Sequence, residues 1–332
     1  MKYEPEKNTS VIELKNEPKL SEHEADKIYN ERRIALVPYI KDFVSKSERW
    51  RGKDVSITFV ERGVSSLVSI IETGDEKVIL KIPLGLNFSD GESIFLRTWE
   101  VSGVKVPHVI EDGVLNGHSY ILMEYIDAPR LEEIYTDEES LQKNIPEEMG
   151  RIFHNMHKPV AEGYGRVMKG KAEYREFKLW LNGSQMKTMI DFVEEKKLLT
   201  EEHGSLELAR KILLLFIKKE AKSSYCHEDF GASNVFATKP FTVFDPNPVF
   251  NHAYYDLGRS IVLAMTKDGG NRAVEQLIKG YFDGKPYNKK ALQSFILINA
   301  YMKFPYWYKT KRTKLIAKLQ EYLIKTKHLL ED

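Results

Sequence analysis

The sequence predicts an α+β protein in two lobes, a small sheet lobe followed by a larger, mostly helical one. Three observations predict this. A chain of 332 residues with 42 % apolar and 30 % charged residues can bury a large core and tends to split into two lobes. Apolar runs at Val55 to Val60, Leu67 to Glu72 and Val78 to Ile82 are broken by Gly63 and by Thr73-Gly74-Asp75-Glu76, the pattern of short strands joined by turns. Beyond them helical patterns dominate, interrupted by one dense polar loop.

Residues 1–52 read as an N-terminal helical extension, a polar lead and two helices. Ser21-Glu22-His23-Glu24 is a candidate capping box, and Pro38 falls early in the second helix. Residues 53–127 form the sheet lobe. Lys81 alternates with apolar neighbours in Val78-Ile79-Leu80-Lys81-Ile82, so its ammonium is expected to be buried and to need a partner. Gly63-Val64-Ser65-Ser66 is a turn with small residues whose backbone N–H groups, at Ser65 and Ser66, could approach phosphate oxygens. His118 to Ile126 is an apolar strand running into Asp127-Ala128-Pro129, a connector between the lobes.

Residues 128–332 form the larger lobe. Pro146 to His157 reads as a helix with Pro and acids in its first turn. His154 and His157 share a face but lack further ligands nearby, which points to core or capping histidines. Lys218 to Ser224 ends a helix, and Tyr225-Cys226 opens a turn into His227-Glu228-Asp229-Phe230-Gly231-Ala232-Ser233-Asn234. Val235-Phe236-Ala237 and Phe241-Thr242-Val243-Phe244 then read as a hairpin, and Asp245 follows in Asp245-Pro246-Asn247.

That loop carries the chemistry. An H-x-D-x-x-x-x-N pattern, with a second acid eleven residues after the Asn, supplies a carboxylate for an acceptor hydroxyl and two oxygen ligands for Mg²⁺. Asp229 is the candidate base or hydroxyl-positioning group, and Asn234 and Asp245 are the candidate metal ligands. Cys226 beside His227 is read as a small buried residue, because adjacent side chains in an extended segment point to opposite sides.

These residues resemble the aminoglycoside phosphotransferase family, within the protein-kinase-like fold. Asp229 to Phe236 is similar to the D-L-G-D-S-N-I-F run of the kanamycin-type 3′-phosphotransferases. Phe244-Asp245-Pro246-Asn247-Pro248, with Tyr255-Asp256-Leu257, looks like the I-D-P-x-P and Y-D-L-A segments of streptomycin and hydroxyurea kinases. Gly163-Tyr164-Gly165-Arg166-Val167 and Trp180 extend the similarity, which covers about Val55 to Asp256. The chain departs from the family at Asn251-His252-Ala253, where many relatives carry Gly-Asp-Pro, and at Glu228, where Gly is usual.

The resemblance implies a bilobal kinase-like fold with a small antiparallel-sheet N-lobe and a mostly helical C-lobe. It implies that Lys81 meets the nucleotide phosphates and pairs with Glu92, with Glu100 as the alternative. By the same resemblance Met123 flanks the nucleotide base, the Glu124 carbonyl and Ile126 N–H bond to it, and His227 and Asp256 orient the loop.

The expected function is transfer of the γ-phosphate of ATP or GTP, with Mg²⁺, to a hydroxyl of a small molecule such as an aminoglycoside, aminocyclitol or sugar. A protein kinase acting on polypeptides and a catalytically silent nucleotide-binding protein are the alternatives. Against the former, Gly231 stands where Ser/Thr kinases usually have lysine. Resistance to antibiotics would follow through kinship alone. Aminoglycosides are polycations, and Glu228, Asp268 and Asp283 are acids that could line a pocket for one. From Lys285 to Asp332, however, eleven Lys or Arg face only Glu321, Glu331 and Asp332. The run Lys303 to Lys309 with Lys311-Arg312 could serve nucleic acid or an anionic substrate, but a terminal helix pair with solvated lysines is the simpler reading. Nucleic acid is not an expected partner. One cysteine, no leader-like start in Met1 to Ser10 and no apolar run of ~20 residues point to a cytoplasmic protein without a membrane helix.

Overall fold

The computed structural model describes residues 11–21, 27–61, 65–85, 91–168, 170–220 and 222–331. The chain divides into two compact units, Met1–Arg97 with Pro107–Asp127, and Thr98–Val106 with Ala128–Asp332. The first unit holds β1 (Ile12–Leu14), α1 (Lys27–Lys46), β2 (Val55–Phe59), β3 (Ser66–Glu72), β4 (Lys77–Pro83), α2 (Gly91–Val101) as far as Arg97, β5 (Val109–Leu115) and β6 (His118–Glu124). The strands form one sheet in the order β1-β2-β3-β4-β6-β5.

All neighbours pair antiparallel except β1, which runs parallel to β2 with Ile12 opposite Val55. The N-terminal segment therefore differs from the two helices expected of it. Its described residues hold an edge strand and a single 20-residue helix with Pro38 in its interior. Pro38 has no N–H to give, yet Leu36, Ile40 and Val44 on the same face are at most 1 % exposed, and they join Trp50 and the strand residues Ile57, Leu80 and Ile82 in one core. Burial of that face outweighs the lost helix bond. Glu22, His23 and Glu24 of the candidate capping box lie outside the described residues.

The second unit begins with α3 (Leu131–Ile134), α4 (Asp137–Gln142) and α5 (Ile145–Met156). It continues through β7 (Val160–Ala161), β8 (Tyr164–Met168), β9 (Lys171–Tyr174), α6 (Phe177–Leu181), α7 (Ser184–Glu195) and α8 (Leu206–Lys219). Next come β10 (Ser223–Cys226), the hairpin β11 (Val235–Phe236) and β12 (Thr242–Val243), and β13 (Val249–Asn251). Five helices close the chain: α9 (Ala253–Ala264), α10 (Gly270–Phe282), α11 (Lys289–Lys309), α12 (Thr313–Thr326) and α13 (His328–Glu331). A five-stranded sheet, β7-β10-β13-β8-β9, carries the segment leading into the polar loop.

Ser223 and Ser224 belong to β10 and not to the end of a helix as expected. Their hydroxyls donate to Ala161 O at 2.6 Å and His157 O at 3.0 Å, which satisfies two polar groups that would otherwise weaken a buried strand. Helix α11 is buried almost all round from Ala291 to Tyr301, so it forms the centre of this unit. The terminal helices pack Phe304, Trp307, Leu319 and Leu323 inward and expose Lys309, Lys311 and Arg312, as the simpler reading of the basic tail expects. Among the described residues, no helix is long and apolar enough to cross a membrane.

Candidate active site

Two groups of residues, one in each unit, carry the features singled out in the sequence. In the first unit, Lys81 sits in β4 opposite Val68 and Ile121, 6 % exposed. Its Nζ lies 2.8 Å from Oε1 and 2.7 Å from Oε2 of Glu92, itself 4 % exposed in the first turn of α2. An acid in the first helical turn also meets the helix dipole favourably. Glu92, not Glu100, is thus the partner.

Ser65 and Ser66 lead into β3, and their carbonyls are fixed by Leu84 N at 2.8 Å and by the buried Arg33 guanidinium at 3.1 Å. Gly63 and Val64 of the same turn lie outside the described residues. Met123 is buried in β6, Glu124 ends that strand with its N–H on His108 O, and Ile126 follows half-buried.

In the second unit, β10 delivers the chain into the loop, and His227 is its first fixed point. The ring is fully buried and stacks on Trp99 with centroids 5.9 Å apart. Its Nε2 lies 3.0 Å from Phe244 O, which can only accept, so Nε2 carries the proton. Nδ1 then accepts from Asp229 N at 3.4 Å.

Asp256, fully buried in the first turn of α9, is the second fixed point. Its Oδ2 accepts from His227 N at 2.5 Å and its Oδ1 from Glu228 N at 2.8 Å. His157, at the C-terminal end of α5, adds Nε2 3.0 Å from Oδ2, while its Nδ1 meets the Tyr281 hydroxyl at 2.8 Å. His157, Cys226 and Asp256 cluster closely enough to suggest a cation site. Each is already spent: the Cys226 thiol points at Asn251 O, 3.4 Å away, and burial pushes that thiol well above its ordinary range. The cluster is a buried brace for the loop.

Glu228 explains how the loop turns without the glycine usual there. Its φ is +60°, a region that β-carbons disfavour. Its carboxylate takes the Tyr255 hydroxyl at 2.6 Å and the Asn247 amide, and its carbonyl takes Arg259 Nε at 3.3 Å. These bonds hold a conformation that the residue would not choose alone.

Asn234 is buried, with its backbone tied to Gly231 O at 2.9 Å and to Phe244 N at 3.1 Å. Its Nδ2 donates to Asp229 O at 2.8 Å and to Asp229 Oδ2 at 3.2 Å. Oδ1 is the amide oxygen that remains for a cation. The hairpin registers Val235 with Val243 and stacks Phe236 on Phe244 at 4.1 Å, so Asp245 emerges next to the Asn234 backbone, at φ +57°. An amide oxygen and a carboxylate offered from adjoining backbone fit a hard divalent cation such as Mg²⁺. On the α3–α5 side of the loop lies a cavity of about 220 Å³ lined by Asp229, Gly231, Ser233, Ser260 and Asp268, among others.

Fold and loop together define a kinase-like phosphotransferase. The sequence model of the phosphotransferase enzyme family (APH) matches residues 56–291, and the chain belongs to that family and with it to the small-molecule kinases. No curated protein matches the chain by sequence.

Among solved structures, a thermostable mutant of the aminoglycoside phosphotransferase APH(4)-Ia, in a ternary complex with AMP-PNP and hygromycin B, is similar at TM-score 0.61 and 12 % identity. The match covers 86 % of this chain and 97 % of that one. A putative fructosamine-3-kinase from Haemophilus somnus 129PT is similar at TM-score 0.57 and 15 % identity, over 86 % of this chain and 96 % of that one. A choline/ethanolamine kinase family protein from Mesorhizobium loti is similar at TM-score 0.56 and 16 % identity, over 90 % and 95 %. At such identities the likeness establishes the kinase-like fold.

One residue at the loop was not singled out as a site residue by the sequence reading: Arg259, one helical turn past Asp256, with its Nε on Glu228 O. Local spacing gave no signal for it.

Proposed function

We propose that this enzyme transfers the γ-phosphate of ATP or GTP to a hydroxyl group of a small molecule. The observation that carries the reading is Asn234 bonded to Asp229 on a loop braced by Asp256, with Asp245 next after Phe244, whose N–H donates to Asn234 O. The complex of the hygromycin-binding relative with AMP-PNP supports a nucleotide as co-substrate. In this reading residues 53–127 form the nucleotide-binding lobe and residues 128–332 the catalytic one. Lys81, oriented by Glu92, meets the α- and β-phosphates, and the backbone at Ser65 and Ser66 covers them. Met123, Glu124 and Ile126 receive the base.

Asn234 Oδ1 and the Asp245 carboxylate would hold Mg²⁺, which when bound neutralises charge on the β- and γ-oxygens. Asp229 accepts a hydrogen bond from the acceptor hydroxyl and aims its oxygen at the γ-phosphorus. The new P–O bond forms as the bond to the β,γ-bridging oxygen breaks, the hydroxyl proton passes to Asp229, and the nucleoside diphosphate leaves. Only β13 and short links separate Asp245 from α9, which leaves no long segment to dock a polypeptide.

Phosphorus NMR of the enzyme with MgATP or MgGTP and a panel of hydroxyl compounds tests this. The expected result is a new phosphomonoester signal growing in step with the nucleoside diphosphate. Inorganic phosphate as the only product with every alcohol would overturn it.

A further inference from the structure

The family match begins at residue 56, yet residues before it grip both arms of the turn between β2 and β3. On the first arm, β1 runs beside β2 until Lys15 N donates to Ile57 O at 2.9 Å. The Asn16 side-chain amide then continues the ladder: Oδ1 accepts from Phe59 N at 2.7 Å and Nδ2 donates to Phe59 O at 2.8 Å. On the second arm, Val68 O accepts from Val60 N at 2.9 Å, and Ser66 O, two residues back on the same edge of β3, is met by Arg33 instead. Arg33, 3 % exposed, donates through Nη2 to Ser66 O and through Nη1 to Lys19 O, both at 3.1 Å. Its neighbour Arg32 reaches Leu84 O, and Leu84 N in turn donates to Ser65 O at 2.8 Å. Ser21 and Asn30 tie the two pieces of the segment together, Ser21 N on Asn30 Oδ1 at 2.9 Å and Asn30 Nδ2 on Ser21 O at 2.8 Å.

We propose that this N-terminal segment sets the affinity of the enzyme for the phosphates of its nucleotide, with Asn16 and Arg33 as positioning residues for the turn between β2 and β3. The inference rests on the proposed role of the Ser65 and Ser66 backbone over those phosphates. Backbone N–H groups hold an anion well only where their directions are fixed beforehand, since a loose turn must be ordered at the expense of affinity. A turn is fixed when both of its arms are, and one segment anchors both. The α1 face that docks on the core, Leu36, Ile40 and Val44, continues one turn earlier into Arg33. An apolar side chain there would serve burial alone, whereas a buried guanidinium forks onto two carbonyls with charge-assisted bonds at each. Neither residue meets the nucleotide in this reading. Asn16 and Arg33 act through Phe59 and Ser66, so their loss weakens the hold on the phosphates and leaves the base, received by Met123, Glu124 and Ile126, as it was.

Competition binding on the full chain with Mg²⁺ tests the inference. The β,γ-imido analogues of ATP and GTP, with adenosine and guanosine carried to millimolar concentration, are compared in the wild type, Asn16→Ala and Arg33→Met. The analogue that the wild type prefers should lose about tenfold in each variant, while its nucleoside changes by less than about twofold. Arg33→Lys, which can reach one carbonyl but not two, should fall between. Equal losses for analogue and nucleoside would overturn the inference, because the segment would then only hold the sheet together. An unchanged preference for the analogue in both variants would overturn it too. Should Arg33→Met fail to fold, Asn16→Ala on the half-buried sheet edge decides by the same ratio. A wild type that binds the analogue no tighter than the nucleoside would remove the phosphate reading of the turn itself, whereas a wild-type preference that the variants keep removes only the role of the N-terminal segment.

Discussion

The backbone N–H of Glu228 ends on Oδ1 of Asp256, 2.8 Å away, while Glu228 itself sits at φ +60°. A left-handed backbone costs about 1–2 kcal/mol in a residue with a β-carbon. The buried carboxylate of Asp256 offsets that by accepting two adjacent N–H groups and the His157 ring. Asp256→Asn should therefore destabilise the fold by about 2–4 kcal/mol, because an amide NH₂ would face donors it cannot accept from. Urea unfolding of both proteins measures it; a change under about 0.5 kcal/mol would mean that the loop is held by something else.

Lys81 and Glu92 allow stability to be separated from activity. Lys81→Met leaves a buried carboxylate without its cation and should cost about 3–5 kcal/mol, whereas the double variant Lys81→Met with Glu92→Leu should regain most of that loss. Neither should regain phosphoryl transfer. Recovery of activity in the double variant would remove Lys81 from the reaction.

Stability should fall in acid, partly through His252. This ring caps α9 by accepting from Tyr254 N at 3.1 Å, stacks on Phe295, and is held by burial, then by His157, down to about 3. Between about 6.5 and about 3 the unfolded chain takes up a proton that the folded ring refuses. Its contribution is complete above about 6.5 and declines as pH falls, by up to about 1.4 kcal/mol per unit. His252→Asn should flatten the pH slope between 7 and 4.5 by close to one proton; identical slopes would place the acid sensitivity elsewhere.

Cys226 is the single cysteine of the chain and is fully buried, with its thiol pushed up by burial and by the nearby Asp256 charge. A chromogenic disulfide reagent should label no thiol in the native protein and one in denaturant. Rapid native labelling would show that β10 opens far more easily than its burial implies.

The loop was legible in sequence because its chemistry is local. His227, Asp229, Asn234 and Asp245 lie within nineteen residues, and the apolar runs Val235 to Ala237 and Phe241 to Phe244 between them mark the hairpin. For Lys81, sequence alone showed only that a lysine in a buried strand needs a partner; Glu92 came from the family resemblance, with Glu100 as the alternative until α2 placed Glu92 at 2.7 Å. Strand β1 was missed because three residues on a sheet edge carry little pattern, and β10 because Ser223 and Ser224 look like a helix end until their buried acceptors are known. Arg259 escaped for a different reason: it lies 30 residues beyond Asp229, and only the packing of α9 against the loop brings its Nε to Glu228 O. Local spacing does not encode such a meeting.

The central claim is that Asp229 acts on the acceptor in a magnesium-dependent phosphoryl transfer. Its most direct test is alcohol-dependent ADP release by the wild-type chain and by Asp229→Asn, each shown to melt at the same temperature. A general base at that position predicts a rate loss on the order of 10²–10⁴, with little change in nucleotide affinity. Equal rates in the two proteins, or ADP release that no added alcohol alters, would contradict the account.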